Sequence, residues 1–472
     1  MKSILLITSL VLGSPAAIPA QSLHFEKDSL NQVFLKARQQ NKPVLVILAP
    51  TTTAASLPVP RSGVPNKSGL SAPAIVAELN KDFLTKEITL GAAESADLSR
   101  TYLVARYPTY LYFNPDGSLL YRSTGNYTAE AHYTKDLQAF RQAQADPHNL
   151  SYYQAEYQKG NRSVDFLKAY LLKRRELSQR VEPALLDAYV KQLPVKAFGQ
   201  GAEVKFVLEN GPVVGSQAYQ LTHSGNKTTD SLYKVLPQPQ RVAINNLIIK
   251  NTLAQAIATK DRNLATRGAN FARNSWTNNY QRGTRAYERN MLTFYQSTQD
   301  TTNYLRQAVS FYERYCLNVS ADSAAKASAA ARTFHQQQAA GHLATSTTRR
   351  PAEAQDKAKL LDPRVTYVVT TITTSSPPPS FITELNNAAW AIYQTGTHNR
   401  EYLLRATLWS KRTVELDPAS YHYDTLAHLL YRLQFYQEAE AQQQQAVAHA
   451  RQEKASIQVY EQELAKMKKR QL

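Results

Sequence analysis

The spacing of hydrophobic and polar positions changes about 140 residues into the chain. Before that point, helical patterns alternate with short apolar runs such as KPVLVIL, which has the β-branched content of a buried strand. The runs TYLYF and SLLYRSTG flank the sequence NPDG at 114–117, a strong turn signal, and predict two adjacent strands. The order helix, strand, helix, strand, helix, hairpin, helix predicts an α/β fold. Its central sheet should be mixed, with helices on both faces.

The pattern after residue 141 is almost entirely helical. Amphipathic segments such as VDFLKAYLLKRREL follow one another, and strand signals nearly vanish. Residues 385–418 form a unit of 34 residues with two helical patterns and a closing Asp-Pro, and the next residues repeat this arrangement. The period and spacing resemble tetratricopeptide repeats, in which stacked helix pairs bury small residues against large ones. We therefore expect an all-α, helical-repeat C-terminal region.

Residues 25–140 carry a more specific set of motifs. KPVLVIL is followed by DFLTKEITL and then by YLVARYPTYLYFNPDGSLLYRSTGNY. In the last stretch Tyr107, Pro108 and Thr109 precede a strand, a turn and a second strand that ends at Gly125. These stretches resemble the thioredoxin-like superfamily over about a quarter of the chain. In that family the proline of this motif is cis, so the resemblance implies a cis bond between Tyr107 and Pro108.

The same resemblance predicts that the redox motif is lost. Thioredoxin-like enzymes carry Cys-X-X-Cys after the first central strand, where a helix N-terminus lowers the pKa of the first thiol. The resemblance places these positions at Thr53, Ala54, Ala55 and Ser56. Ile47 stands where many members have a buried Asp, and Thr52 where they have a Trp. We therefore predict a redox-inactive domain, more consistent with a binding protein than with an enzyme, and no catalytic residue.

The ends of the chain and its composition predict the remaining organisation. Lys2, an apolar run from Ile4 to Leu12 and small residues up to Ala20 are typical of a secretory signal peptide cut after Ala20. The predicted segments are a signal peptide (1–20), a thioredoxin-like domain (21–143), an α-helical region (144–338), a linker or irregular segment (339–380) and tetratricopeptide-like helical hairpins (381–472). The protein is expected to be exported, periplasmic or secreted. No later apolar run predicts a membrane span.

Charge and cysteine content narrow the classes of function. The formal net charge is +18, and the 12 basic and 10 acidic residues between Gln21 and Phe140 leave almost all of the excess to the helical part. Because an exported protein rarely meets nucleic acid, these scattered charges predict a solvated surface, with weak binding to anionic surface polymers as an alternative. Cys316 is the only cysteine, and its aromatic helical context favours a buried, inert thiol.

No residue pattern predicts a metal or cofactor site. His422, Asp424 and His428 are the histidines and acid that lie closest together, but they lack the spacing of an HExxH or Cys/His site. We expect Asp424 and Thr425 to cap the start of the helix TLAHLLYRL instead. The sequence also lacks a glycine-rich phosphate loop. We therefore expect no metal and no cofactor.

Three hypotheses of function follow. The first is a peptide- or protein-binding or scaffolding module, because the loop before the cis-proline of a thioredoxin-like protein pairs with extended peptide backbone. It assigns binding to Tyr107, Pro108 and Thr109, together with the 50–69 loop. The second retains thiol-disulfide oxidoreductase or isomerase-related activity through Cys316 or partner thiols. The third is adhesion to anionic polymers through the basic helices. The sequence favours the first and leaves the partner and the oligomeric state open.

Overall fold

The computed structural model describes residues 22–49, 68–89, 93–104, 107–223, 225–326, 329–330, 381–453 and 456–472. These residues form two compact units. The first contains residues 22–49, 68–89, 93–95 and 107–152, and the second contains Ala96–Val104 and the described residues from 153 onward. The predicted signal peptide, the segment 339–380 and the positions 53–56 lie outside the described residues.

The first unit is built on a four-stranded mixed sheet. Its strands are β1 (Val44–Ala49), β2 (Leu84–Thr89), β3 (Thr109–Phe113) and β4 (Leu119–Thr124), in the spatial order β2-β1-β3-β4. β1 is parallel to β2 and antiparallel to β3, and β3 and β4 form an antiparallel hairpin. Each strand falls on an apolar run that predicted it, and the sheet is mixed as expected.

Helices pack on both faces of this sheet. They are α1 (Leu30–Gln40), α2 (Pro73–Asp82) and α4 (Glu130–Ala145). A further helix, α3 (Ala93–Thr101), follows β2 along the chain, and most of it belongs to the second unit. α2 and α4 bury Leu79 and Leu137 against Ile47 of β1. Because successive strand residues point to opposite faces, Phe113 of β3 points to the other side, where Phe34 of α1 meets it with ring centroids 5.2 Å apart.

One helix of this region is shorter than the sequence predicted. The helical pattern of ADLSRTYLV suggests a helix that continues to Val104, but α3 ends at Thr101. Leu103 has a φ of 46°, a left-handed conformation that cannot continue the helix. The backbone N–H of Val104 then donates to the carbonyl of Ser99 at 3.0 Å, which closes the last turn.

The second unit is helical throughout its described residues, apart from its connections. α5 (Leu150–Gln158) begins in the first unit, and α14 (Thr301–Tyr312) continues into a π-helical turn at Glu313–Leu317. The following helices are α6 (Val164–Glu176), α7 (Pro183–Gln192), α8 (Gly201–Glu209), α9 (Gln217–His223), α10 (Lys227–Val235), α11 (Gln238–Thr259), α12 (Arg262–Asn274), α13 (Tyr280–Ser297), α14 (Thr301–Tyr312), α15 (Phe381–Gln394), α16 (Arg400–Leu416), α17 (Ser420–Arg432), α18 (Tyr436–Glu453) and α19 (Gln458–Lys468).

A single hydrophobic cluster joins residues on both sides of the segment 331–380. It contains Phe311 and Cys316 on one side and Leu385 and Trp409 on the other. The Trp409 side chain is fully buried, and its ring lies 5.6 Å from that of Tyr312. Helices after residue 381 therefore share a core with helices before residue 331.

The last helices pack in sequence order, α15 on α16, α16 on α17, α17 on α18 and α18 on α19. Fully buried alanines recur along them, at Ala389, Ala406, Ala427, Ala439 and Ala446. A side chain as small as alanine lets two helices approach closely, so these positions explain the tight pairing.

The start of α17 corrects one prediction. Asp424 and Thr425 do not cap this helix, because it begins at Ser420 and places both residues in its second turn. The Ser420 backbone N–H and hydroxyl donate instead to the two carboxylate oxygens of Glu453, at 2.9 and 2.6 Å. A carboxylate from the end of α18 thus satisfies one of the backbone N–H groups that lack a partner within the helix at the start of α17.

Candidate functional site

The predicted peptide-binding residues lie at one end of the sheet. Leu48 of β1 pairs with Thr109 of β3, so Pro108 lies beside Ala49, the last described residue before the predicted redox positions. The Tyr107–Pro108 bond is cis, as the resemblance implied. Tyr107 and Pro108 are half-buried, and Thr109 is fully buried. Of these three residues, Tyr107 and Pro108 therefore present surface at this end of the sheet.

Hydrogen bonds from the β3–β4 hairpin hold Pro108 in place. The Gly125 backbone N–H donates to the Pro108 carbonyl at 2.9 Å, one step beyond the paired residues Thr109 and Thr124. Gly125 has a φ of 101°, which residues with a side chain rarely adopt. The glycine that ends the predicted strand is thus required by the backbone turn beside Pro108.

The described residues continue at Ser68, and the Tyr133 hydroxyl holds Ser68 in place by a hydrogen bond. The Tyr133 hydroxyl lies 3.2 Å from the Ser68 hydroxyl and 3.4 Å from that of Tyr110, and it donates to Asn126 Oδ1 at 3.1 Å. The backbone N–H of Gly69 donates to the carbonyl of Tyr127 at 2.8 Å. The residues that follow the 50–67 segment are therefore tied to β3 and to the start of α4.

The interior next to this end of the sheet lacks the buried carboxylate that the resemblance to thioredoxin-like enzymes led us to look for at position 47. Ile47 is 4 % exposed and lies in the apolar cluster with Ile75 and Tyr110, so β1 contributes no carboxylate there. Burial, followed by the hydrogen bond to Tyr133, raises the pKa of the Tyr110 hydroxyl far above its ordinary value of 10. This phenol stays protonated and cannot act as a base.

A buried carboxylate occurs elsewhere in the first unit, at Asp136 on α4. Its oxygens accept hydrogen bonds from the Tyr121 hydroxyl at 2.8 Å and the Ser123 hydroxyl at 2.6 Å, and His132 Nε2 lies 3.8 Å away. Sequence reasoning missed this group. A polar residue at a buried helix position was the available signal, but only the fold brings the β4 hydroxyls to it. Two hydroxyl donors on one carboxylate join α4 to β4, a structural role.

Cys316 lies in the hydrophobic cluster of the second unit. Its side chain is buried, and burial, aided by the nearby Glu384, raises the thiol pKa to about 12. Because the thiolate is the reactive species, the folded protein holds this group in its unreactive form. The burial that the aromatic context predicted is confirmed, and the raised pKa agrees with the predicted inertness.

Asp424 and His428 belong to a buried polar group between the last helices, whereas His422 makes its hydrogen-bond contact elsewhere. Asp424 accepts a hydrogen bond from Gln443 Nε2 at 2.8 Å, and burial raises its pKa. His428 Nε2 lies 3.4 Å from Glu463 Oε2, whereas the His422 ring faces the Asp417 carbonyl at 2.6 Å. Within the described residues, no set of three or more His, Cys, Asp and Glu side chains could hold a metal ion.

An open groove lies away from the predicted site. Its volume is about 380 Å³, and Phe34, Leu35, Arg38 and Gly117 line it. Gly117 belongs to the turn at the far end of β3 from Thr109, so the groove and the predicted peptide-binding residues occupy opposite ends of the strand. The groove therefore adds nothing to the predicted site.

Comparisons of this chain with protein-family models, with curated proteins and with solved structures found no match. Among the helices in the described part of the chain, none has the length and apolar character needed to cross a membrane.

Proposed function

We propose that this chain is an exported, redox-inactive protein that binds an extended peptide or protein segment. Binding is assigned to the sheet end formed by Tyr107, Pro108 and Thr109. The fold we propose for the first unit is thioredoxin-like, and the one we propose for the last helices is tetratricopeptide-like.

The sheet supports the thioredoxin-like assignment. A parallel pair, β1 and β2, continues into the antiparallel strands β3 and β4, and the cis Tyr107–Pro108 bond directly precedes β3. A further parallel bridge joins Phe25 to Thr85 at the outer side of β2. This order agrees with the family to which the motifs of residues 25–140 are similar.

The helix pairs support the tetratricopeptide-like assignment. α15 and α16 lie within the first proposed repeat, 385–418, apart from the first turn of α15, and α17 and α18 follow as a second pair. Each pair buries alanines at its helix contacts, as in Ala406 and Ala439. Stacked helix pairs of this kind present extended surfaces that suit protein partners.

The observation that carries the proposal is the pairing of Leu48 with Thr109. It brings the end of β1 and the Tyr107–Pro108 bond to the same end of the sheet. An extended segment that adds to a sheet gains affinity from backbone hydrogen bonds and needs no thiol. The buried Cys316 and the apolar Ile47 weigh against disulfide exchange as the activity.

A peptide selection tests the proposal. Random peptides displayed on phage are selected on the full-length mature protein, and enriched peptides are measured by fluorescence anisotropy. Tyr107→Glu should weaken binding by about tenfold or more, because a charge next to the pairing backbone must be desolvated. The matched control is Tyr280→Glu, which introduces the same change at an exposed position of α13.

Two results would contradict peptide binding at this site. The first is a selection that enriches no peptide. The second is an enriched peptide that binds the Tyr107→Glu variant as tightly as it binds the unmodified protein.

A further inference from the structure

Three arginines of the second unit lie close together: Arg100 near the end of α3, Arg174 on α6 and Arg180 in the segment that follows α6. The Arg180 backbone N–H donates to the Thr101 carbonyl at 2.8 Å, which brings the α3 end to this segment. Arg174 Nη2 in turn donates to the Arg180 carbonyl at 2.9 Å. We refer to Arg100, Arg174 and Arg180 as the arginine cluster.

Arg174 is buried but only partly satisfied. Its side chain is 8 % exposed, its Nη1 donates to the Tyr170 hydroxyl at 3.3 Å, and its Nη2 reaches Glu182 Oε1 at 3.3 Å. Its Nε is buried and has no hydrogen-bond partner. A buried donor of a charged group without a partner costs free energy, and an additional acceptor would remove this cost.

Arg180 repeats this feature beside it. Its Nη1 is also buried and also lacks a hydrogen-bond partner. Burial lowers the pKa of Arg180, and the positive charges of Arg174 and Arg100 lower it further, against the opposing effect of Glu182. Arg174 and Arg180 thus each hold one buried guanidinium N–H group without a hydrogen-bond partner.

The acidic side chains nearby balance this charge poorly. Glu182 contacts Arg174 and Asp97 pairs with Arg100, but their side chains are 60 % and 75 % exposed. Exposed carboxylates are well solvated and compensate a buried cation weakly. The Arg100 side chain is 34 % exposed, so the cluster extends from the interior to the solvent. Arg100 is therefore the member of the cluster that a ligand would meet first.

We propose that the arginine cluster is a binding site for a small oxyanion, a phosphate or carboxylate group. Guanidinium groups present planar forks of N–H donors that match both groups, with charge-assisted hydrogen bonds. An oxyanion bound there would accept from Arg174 Nε and Arg180 Nη1 and would supply the missing negative charge. This proposal does not rest on peptide binding at Tyr107.

Phosphorus NMR of inorganic phosphate tests the site in the full-length protein at constant ionic strength. Phosphate should show saturable line broadening when the protein is added. Arg180→Gln and Arg100→Gln should each weaken the apparent affinity by about tenfold or more. The control Arg306→Gln makes the same charge change on α14, where Arg306 is exposed and donates only to Asn303 Oδ1. It should leave the broadening unchanged.

Competition distinguishes the two sources of oxyanion. Release of phosphate by both sulfate and acetate supports a site for oxyanions in general, and release by sulfate alone supports a site for phosphate-type groups. Absence of saturable broadening overturns the proposal. So does broadening that Arg306→Gln reduces as much as the two cluster variants do, since that result reports net charge alone. If Arg180→Gln loses its helical circular dichroism, Arg100→Gln alone is compared with Arg306→Gln, because Arg100 is partly exposed and its substitution should not disturb folding.

Discussion

A buried carboxylate in the first unit belongs to Asp136 on α4, whereas the β1 position at which the resemblance expects one holds Ile47. The identity of the residue at these two positions decides where the first unit holds a buried carboxylate. An apolar side chain at Ile47 packs in the core and offers no proton to the neighbouring sheet end. Asp136 is instead engaged by the Tyr121 and Ser123 hydroxyls, so its charge serves to join α4 and β4.

His223 carries a prediction about pH. Its ring stacks on Tyr219 with centroids 4.1 Å apart, and burial lowers its pKa from 6.5 to about 4. The folded protein therefore favours the neutral ring. The contribution of this ring to the free energy of unfolding is present above pH 6.5 and is lost as the pH falls towards 4. Between about pH 7 and about pH 5, His223 should account for a loss of about 2 kcal/mol in the free energy of unfolding.

Urea unfolding at these two pH values measures the loss. His223→Gln should remove about this much of the pH dependence, and His398→Gln, at an exposed position, should leave it unchanged. An equal pH dependence in His223→Gln and the unmodified protein would show that the neutral ring contributes nothing.

The backbone of Gly69 lies close to the backbone at the start of α4, and this contact between two elements can be tested. Gly69 opens the 3₁₀ turn Gly69–Ser71, and a Cβ on it would lie 2.7 Å from the Ala129 carbonyl carbon and 2.8 Å from Glu130 N. Both atoms are backbone, so the turn and the start of α4 would have to separate. Gly69→Ala should therefore lower the free energy of unfolding by about 1–3 kcal/mol.

Gly199→Ala is the matched control, because a Cβ on Gly199 would meet no atom within 4 Å. It should be neutral or slightly stabilising, since alanine restricts the unfolded chain. Chemical denaturation of both variants makes the comparison. If Gly69→Ala were as stable as Gly199→Ala, the turn would not be held against α4 as described.

The pairing of α17 with α18 shows how elements depend on one another. The sequence near residue 424 suggests a local cap, yet α17 begins at Ser420, whose backbone N–H and hydroxyl donate to Glu453. A partner 33 positions away from the start of a helix cannot be found from the local pattern.

One hydrophobic cluster contains residues from both sides of the segment 331–380, and it leads to a prediction about the chain as a whole. Phe311 and Trp409 lie in the same core, and Glu384 forms ion pairs with Arg285 and Arg289, while Arg405 pairs with Glu313 at 2.9 Å. We expect residues 21–345 and 365–472, co-expressed as two separate chains, to associate and to co-purify through a tag on the second chain.

Trp409→Ala in the second chain should weaken this association, because removing a fully buried indole costs about 3–5 kcal/mol. Size-exclusion chromatography of the tagged complex measures it. The control is Leu408→Ala, which truncates the exposed neighbour on α16. Two chains that fail to co-purify would show that the shared core depends on the covalent connection.

The sequence by itself determined the class of most elements and the organisation into a sheet-containing part and a helical part. Apolar runs, helical periodicity and the turn at 114–117 are local signals, and local signals fix strands and helices wherever one face must be buried. The same local reading predicted the buried thiol of Cys316. The motif around Pro108, by resemblance, predicted the cis bond.

Only the tertiary structure decided which polar groups meet. Asp136 meets hydroxyls of β4, Ser420 meets a carboxylate 33 positions away, and Arg100 lies far along the chain from Arg174 and Arg180. Each buried polar group depends on partners that the fold brings to it. Hydrogen bonds between residues far apart in the chain produce no periodic pattern in the sequence. For this reason the elements could be predicted from residue patterns, whereas the arginine cluster emerged only from the packed helices.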